Sequence, residues 1–220
     1  MVVTEDGSTF GTIGGGEMER ILVDKALSVL EEGKPHIFHF AMGVPARGGM
    51  IPIDSKCGGE VKIFMDPIVP DPRLIIMGSG GIAQSTAKFA HECGFEVIVV
   101  DDSDTANFEN FPYATIINEA FPDSLKALNI RRSDLVAMLH GETAFELSGL
   151  RKAILSNPRY IGLLGSKNKV SEHKKTLKEE GFDQKIVDSI KGPIGIEIGA
   201  ETPEEIGISI VAELIKVRYG

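Results

Sequence analysis

The chain has 220 residues, of which 42% are apolar, and it carries a formal charge of -9 at pH 7 with a pI near 5.1. This acidic balance, without a cluster of basic and aromatic residues, excludes nucleic acid as an expected partner. The apolar runs are no longer than a strand, which excludes a membrane span, and two cysteines without a CxxC pair favour a reducing, cytoplasmic setting.

The beginning of the chain predicts a small α+β domain. Residues 9–13 predict a strand, and "HIFHFAMG" and "EVKIFMDPI" predict two more. Between them, apolar residues recur at helical spacing until Gly33: Met18, Leu22, Ala26, Val29 and Leu30. Because so short a domain makes a poor independent core, we expect it to pack on a partner.

Three consecutive glycines, Gly14, Gly15 and Gly16, precede the first predicted helix, whose first turn contains Glu17 and Glu19. One interpretation is a flexible turn with glutamates that compensate the helix dipole. The other is a backbone surface that a ligand approaches closely. Three glycines are more than a turn needs, and because glycine is costly to order, their presence favours a close approach to the main chain. The carboxylates disfavour a bare phosphate there but suit a ligand with its own donors, such as the aminopyrimidinone edge of a pterin or guanine.

Cys57 precedes Gly58 and Gly59 in a predicted loop, where the thiol is accessible and main-chain N–H groups are free. This arrangement suits sulfur chemistry or contact with a soft metal, and a small cysteine buried in a turn is the alternative. We expect the other cysteine, Cys93, to lie on the helix predicted over residues 82–93 and to belong to the hydrophobic core.

The segment "DPIVPDP", residues 66–72, contains three prolines and predicts a stiff, extended linker. It divides the chain into expected domains of 1–68 and 72–220. After it, buried strands alternate with helices, which predicts a doubly wound parallel sheet of Rossmann type. The predicted strands are "RLIIMG", "FEVIVVDD", "ATIIN", "DLVAML" and "YIGLLG". Helices are expected at residues 82–93 and 143–156, and a capping box of Thr202, Pro203 and Glu205 begins the last one.

"MGSGGIA" gives a Gly-x-Gly-x-x-Ala pattern between a strand and a helix, with Gly78, Gly80 and Gly81 in the turn. Such a turn brings main-chain N–H groups and a helix N-terminus to a pyrophosphate. The next strand ends in Asp101 and Asp102, which are placed to accept a hydrogen bond from a ribose hydroxyl. The pattern predicts NAD or another phosphorylated ligand, or a Rossmann domain whose cleft is empty.

Two more features follow strands of the same predicted sheet. His140 comes after "DLVAML" and serves either as an acid, base or phosphate donor, or as a satisfied loop histidine. Gly165, Ser166 and Lys167 form a turn that suits an anion, or they form an ordinary helix start capped by the serine. Cys57 and His140 are thus candidate catalytic residues, none is assigned, and no metal site is predicted.

Several strings, in this order, resemble the XdhC/CoxI family of xanthine dehydrogenase accessory factors over nearly the whole chain. They are "EDGSTFGTIGGGEME", "CGGEVKIF", "LIIMGSGGIA", "VVDD", "YIGLLGSKNK" and "PIGIEIGAETPEEIGISIVAEL". The resemblance implies a cytoplasmic maturation factor that binds the molybdenum cofactor, molybdopterin. It would support sulfuration of the cofactor and pass it to a molybdenum hydroxylase apoenzyme of the xanthine dehydrogenase type. A cysteine desulfurase would be the second protein partner.

The resemblance also places the family's turns on this sequence, and the matched residues are Gly14, Gly15, Gly16, Glu19, Cys57, Gly58, Gly59, Gly78, Gly80, Gly165 and Ser166. Members usually begin earlier than this chain does. The small domain is therefore expected to lack its first part, and its sheet edge to pair with another copy of the chain in a homo-oligomer.

The leading hypothesis is a cofactor chaperone whose ligand lies in a cleft between the glycine turn of the small domain and the strand ends of the large one. The rival is an NAD-dependent oxidoreductase in which His140 is the acid–base residue. A third hypothesis is a sensor domain that binds a nucleotide in order to regulate a partner.

Overall fold

The computed structural model describes residues 1–68 and 72–219, and the chain separates into two compact units, Met1–Pro70 and Asp71–Gly220. We call them the small unit and the large unit. Of the linker predicted over residues 66–72, residues 69–71 lie outside the described part of the chain. We retain 1–68 and 72–220 as the proposed domain limits.

The small unit contains one helix, a two-stranded sheet and a three-stranded sheet. Its elements are β1 (Val2–Val3), β2 (Thr9–Phe10), α1 (Gly16–Glu32), β3 (His36–Met42), β4 (Ile51–Ile53) and β5 (Gly59–Met65). The larger sheet has the order β4-β3-β5, with β4 parallel and β5 antiparallel to β3. Its core forms where Met18 and Leu22 of α1 pack with Phe40 and Ile53 of the sheet.

The predicted helix and two of the three predicted strands of the small unit agree with the structure. Gly33 ends α1 in the left-handed conformation and donates its N–H to the carbonyl of Val29. The strand predicted over residues 9–13 is wrong beyond Phe10. The main chain turns there, and the N–H of Ile13 donates to the side chain of Glu19 instead of to a neighbouring strand. β1 and β4 were not predicted, since two or three residues are too few to show a periodicity.

The large unit is a five-stranded parallel sheet in the order β10-β9-β6-β7-β8, with helices on both faces. Its strands are β6 (Arg73–Met77), β7 (Glu96–Val100), β8 (Thr115–Ile117), β9 (Leu135–Met138) and β10 (Tyr160–Leu163). Its helices are α2 (Gly81–Glu92), α3 (Asp123–Ala127), α4 (Thr143–Ser156), α5 (Lys167–Glu179), α6 (Gln184–Ser189) and α7 (Pro203–Tyr219). This is the doubly wound topology predicted from the alternation of strands and helices.

Alternate residues of each strand point to two separate cores. Ile75 and Met138 lie in the core that α3, α4, α5 and α6 cover, whereas Ile76 and Ala137 lie in the core under α2 and α7. Strands buried on both faces appear in the sequence as continuous apolar runs, which is why β6, β7, β9 and β10 were predicted. The edge strand β8 is only partly buried and was predicted from the short apolar run in "ATIIN". No helix in the part of the chain that is described has the length and apolar character needed to cross a membrane.

The last helix is fixed at its start and along its length. Thr202 and Glu205 exchange hydrogen bonds through their main-chain N–H groups, so the predicted capping box is confirmed. Further along, Glu213 accepts a hydrogen bond from the hydroxyl of Tyr160, whose pKa is raised by burial and by this carboxylate. The expectation for Cys93 is wrong: it is the C-cap of α2 and its side chain is exposed, because the helix ends there.

Gly78 fills a place at the end of β6 where no other residue fits. Its φ is +125°, and an added Cβ would lie 2.7 Å from the main-chain carbon and oxygen of Leu139 and 2.8 Å from the nitrogen of His140. We expect Gly78→Ala to lower the free energy of unfolding by roughly 3 kcal/mol, because the energetic cost of backbone strain and the cost of a clash with main-chain atoms add together. Urea unfolding of the full chain measures this.

Gly80, two residues later, is the matched control. Its φ is -68°, and an added Cβ meets no atom within 4 Å. We therefore expect Gly80→Ala to change the free energy of unfolding by less than about 1 kcal/mol. Equal losses in the two variants would contradict the close approach at Gly78.

Candidate functional site

The carboxyl ends of β6, β7 and β9 bring several predicted residues together in the large unit. The N–H of Gly78 donates to the carbonyl of Val100, and the N–H of Leu139 donates to the carbonyl of Met77. These bonds hold the turn after β6 between the ends of its two neighbours. The position is the crevice in which open α/β sheets bind ligands.

Gly80 and Gly81 present the N-terminus of α2 at this crevice. Gly80 is the N-cap, and no side chain caps the helix or places a negative charge in its first turn. Ser166, Asp183 and Thr202 do cap the starts of α5, α6 and α7. The first N–H groups of α2 therefore have no side-chain acceptor within the described chain and suit an anion.

Asp101 is buried, and both of its carboxylate oxygens are engaged. One accepts from the hydroxyl of Ser79 at 2.7 Å, and the other accepts from the N–H of Ser103 at 3.0 Å. The Ser79 hydroxyl also contacts that of Thr105. Asp101 thus stabilises the glycine turn from within, and Asp102 is the exposed carboxylate of the pair.

His140 faces the same network with a defined tautomer. Its Nδ1 accepts the N–H of Glu142 at 2.9 Å, so a neutral ring has its proton on Nε2. Nε2 lies 3.7 Å from Asp101, and the ring stacks on Phe145 with 4.2 Å between centroids. Nδ1 is therefore bonded to the main chain, whereas Nε2 lies beside Asp101 at a distance longer than a hydrogen bond.

Asp101, Asp102 and His140 each place one possible metal-ligand atom within 4.8 Å of the others. A histidine that binds a metal normally donates its second ring proton to an acceptor. Here Nδ1 of His140 faces the N–H of Glu142, a donor, so coordination through Nε2 would set a protonated nitrogen against another donor. The geometry of the ring therefore argues against His140 as a metal ligand.

The second predicted turn, Gly165 to Lys167, is a capped helix start. The Ser166 hydroxyl accepts the N–H of Lys169 at 3.3 Å, which is the structural alternative foreseen for this residue. Gly165 has a φ of +153°, and an added Cβ would lie 2.8 Å from the side chain of Lys169. Lys167 is exposed beside the turn. A role for these residues in anion binding stays a prediction.

A buried ionic cluster behind this turn was not predicted from the sequence. Glu146 of α4 is fully buried, and its two oxygens bond the ammonium of Lys169 at 2.6 Å and Nε2 of His173 at 3.0 Å. Nδ1 of His173 faces the carbonyl of Lys169. Lys169 and His173 are four residues apart and therefore lie on one face of α5. This spacing was the only feature of the sequence that could have indicated that they act together.

In the small unit, the three glycines before α1 are required by backbone conformation. Gly14, Gly15 and Gly16 have φ values of +123°, +73° and +75°, which side chains with a Cβ rarely adopt. An added Cβ at any of them meets no atom within 4 Å, so the space beside this turn is open. No residue in the described part of the chain makes a close approach that uses these glycines.

Glu19 holds this turn in place. One carboxylate oxygen accepts from the hydroxyl of Thr12 and from the N–H groups of Ile13 and Gly15. These bonds, the one from Thr12 first, lower the pKa of Glu19. Glu17 is exposed and accepts the N–H of Asp54 at 3.4 Å, a long contact. The two glutamates therefore differ: Glu19 shapes the turn, and Glu17 presents its carboxylate to solvent.

Cys57 lies in an exposed loop between β4 and β5, as the sequence predicted for an accessible thiol. Its N–H donates to the hydroxyl of Ser55, and Gly59 has a φ of +144° at the start of β5. Gly58 is exposed beside it. A role for Cys57, Gly58 or Gly59 in handling sulfur or a cofactor, and a cleft shared by the two units, stay predictions.

Comparison with known proteins identifies the family. A family model described as the XdhC Rossmann domain matches residues 74–214, and one described as the XdhC and CoxI family matches residues 1–41. A crystal structure of a xanthine dehydrogenase from Bacillus halodurans superposes with a TM-score of 0.61 at 23% identity, covering 98% of this chain and 84% of that one. The predicted Rossmann-like fold is therefore confirmed.

Three relatives are similar in sequence. The uncharacterized protein YqeB of Escherichia coli (strain K12) is 36% identical over 99% of this chain and 40% of its own length. A probable xanthine dehydrogenase component of Bacillus subtilis (strain 168) is 33% identical over 71% of this chain and 46% of its own. The molybdenum cofactor insertion chaperone PaoD of Escherichia coli (strain K12) is 24% identical over 99% of this chain and 77% of its own length. The chain spans less than half the length of the first two.

The bonds to Glu19 predict a local pH dependence of the glycine turn. Because they lower the pKa of Glu19 below its ordinary value of 4.5, the bonds are intact above that pH and are lost as the pH falls through the lowered pKa. NMR should show the amide signals of Ile13 and Gly15 shifting together, with a midpoint below 4.5. Glu19→Gln is the control and should abolish this titration. A midpoint at or above 4.5 in the unaltered protein would contradict the assignment.

Proposed function

The chain belongs to the XdhC and CoxI family, and from this we infer that it is an accessory protein that binds the molybdenum cofactor and supports its maturation and insertion. The names of two relatives support this inference, since one is a molybdenum cofactor insertion chaperone and the other a probable component of a xanthine dehydrogenase. The proposed client is a molybdenum hydroxylase of the xanthine dehydrogenase type.

The observation that supports cofactor binding most is the open N-terminus of α2. Molybdopterin has a phosphate at one end, and a helix start with free N–H groups binds phosphate well. Gly80 leaves space for a ligand oxygen to approach the main chain, since an added Cβ there meets nothing within 4 Å. The first turn of α2 has no acidic residue that would repel the phosphate. We therefore propose that the phosphate meets the N–H groups of Gly80 and Gly81, while Gly78, whose N–H is bonded to Val100, forms the turn before them.

The pterin end requires the opposite chemistry. Its aminopyrimidinone edge carries N–H donors, which a carboxylate accepts. Glu17 is exposed beside the open surface of Gly14 to Gly16, and Glu19 keeps that turn in shape. We propose that Glu17 contacts the pterin and that Glu19 acts as a positioning residue. Cys57, with an exposed thiol, is the proposed contact for the sulfur-bearing end of the cofactor.

Two finer steps are part of the same proposal. Sulfuration of the bound cofactor requires a sulfur donor, for which a cysteine desulfurase is the proposed partner. Insertion requires contact with the hydroxylase apoenzyme. In both steps, the chain would retain the cofactor and shield it, and no residue of the chain is assigned as catalytic.

We expect the purified protein, mixed anaerobically with molybdenum cofactor, to retain it through gel filtration. Molybdenum measured by elemental analysis should elute with the protein. Gly80→Ala should lower this retention by about tenfold, because the methyl group occupies the place of a phosphate oxygen at the start of α2.

Ser156→Ala, at the far end of α4 from the glycine turn, is the control and should retain the cofactor fully. The unfolding experiment above establishes whether Gly80→Ala is folded. Absence of molybdenum from the protein peak under anaerobic conditions would overturn the proposal.

The Gly-x-Gly-x-x-Ala turn between β6 and α2 favours one alternative, an NAD-dependent oxidoreductase. Two observations weigh against it. Both oxygens of Asp101 already accept from Ser79 and Ser103, where NAD-binding folds offer a carboxylate to the ribose. Nδ1 of His140 is bonded to the main chain and Nε2 lies 3.7 Å from Asp101, so a substrate would compete with this carboxylate for the expected acid–base residue.

Calorimetric titration with NAD and NADH separates the two functions. We expect no binding tighter than about 0.1 mM, because both oxygens of Asp101 are engaged and only the exposed Asp102 is left to meet the ribose. Tight binding that is lost in Asp102→Ala, a change at an exposed side chain, would favour the oxidoreductase instead.

A further inference from the structure

Helices α5 and α6 form a basic surface on an acidic chain. Residues 167–191 contain seven lysines and five acidic residues, whereas the whole chain has 23 basic and 32 acidic residues. A groove of about 720 Å³ follows this surface, and we call it the lysine groove. The charged residues that line it are Lys167, Lys174, Lys175, Lys178, Glu179 and Asp188.

Three of these lysines share one face of α5. Lys167, Lys174 and Lys178 are separated by seven and four residues, which corresponds to two turns and one turn of a helix. They extend over about 16 Å along the helix axis. Like charges at this spacing disfavour the helix, so the arrangement needs a compensating interaction.

The chain itself provides only part of that compensation. Lys178 bonds the carboxylate of Asp188 at 2.7 Å, and Lys175 lies 3.7 Å from Glu179. Lys174 reaches only the main-chain carbonyl of Asp188, and within the described residues neither Lys174 nor Lys167 has a carboxylate at ion-pair distance. Burial lowers the pKa of Lys174, the charge of Asp188 opposes this shift, and the charges of Lys178 and Lys191 add to it.

We propose that the lysine groove docks an acidic polypeptide segment of a protein partner. An extended segment of about five residues spans the distance from Lys167 to Lys178, and its carboxylates would meet the lysines that lack a counter-charge. Glu179 and Asp188 on the same rim would accept N–H donors of that segment. A phosphate backbone has no such donors and would be repelled by both carboxylates. Lys167 also belongs to the predicted anion-binding turn, and the other residues of the groove are separate from those proposed for cofactor binding.

Fluorescence anisotropy with a labelled peptide of eight glutamates tests this proposal on the full chain. We expect saturable binding that weakens as sodium chloride is raised, because the contacts are between exposed charges. The variant Lys167→Gln/Lys174→Gln should weaken binding by about fivefold to tenfold. Its thermal unfolding should match that of the unaltered protein.

Lys88→Gln/Lys216→Gln is the matched control, since it removes the same charge from exposed positions outside the groove. It should bind the peptide almost as the unaltered protein does. Equal losses in both variants, absence of saturable binding, or tighter binding of a short RNA duplex than of the peptide would each overturn the proposal. If the double variant unfolds early, Lys167→Gln alone provides the same test, because that side chain is exposed and makes no hydrogen bond in the described part of the chain.

Discussion

The contact between the end of β6 and the end of β9 determines the shape of the candidate site in the large unit. At Gly78 the two chains are so close that a Cβ would overlap main-chain atoms of Leu139 and His140. The turn that follows β6 is thereby held between β7 and β9, and the N-terminus of α2 opens at the carboxyl edge of the sheet. Asp101 and His140 come to the same edge because their strands end there.

Ser79, Asp101 and His140 face inward at this edge, whereas Asp102 is exposed, and this determines what remains for a ligand. Ser79 bonds Asp101 and Thr105, while His140 bonds the main chain and stacks on Phe145. Main-chain N–H groups are left as the principal donors towards solvent. Such donors recognise an oxyanion by charge and geometry, which fits retention of a cofactor better than proton transfer to a substrate.

Features with a strong local signature could be predicted from the sequence, and those that depend on distant residues could not. The five strands of the large unit and the capping box of α7 have clear apolar or polar patterns. The bonds from Glu19 back to Thr12, Ile13 and Gly15 join residues with no shared periodicity, so the turn was predicted and its internal support was not. Glu146 lies in the first turn of α4, and only the packing of α4 on α5 makes it the partner of Lys169 and His173.

The two glycine-rich turns are chemically complementary, and this complementarity bears on specificity. The start of α2 has no acidic residue in its first turn, whereas the start of α1 has Glu17 and Glu19. The start of α2 suits an anionic group, whereas the start of α1 suits a group with N–H donors and disfavours a phosphate. Because the whole chain is also acidic, longer polyanions are repelled before they reach either turn. Discrimination of this kind depends on an unfavourable interaction with the wrong ligand as much as on a favourable one with the right ligand.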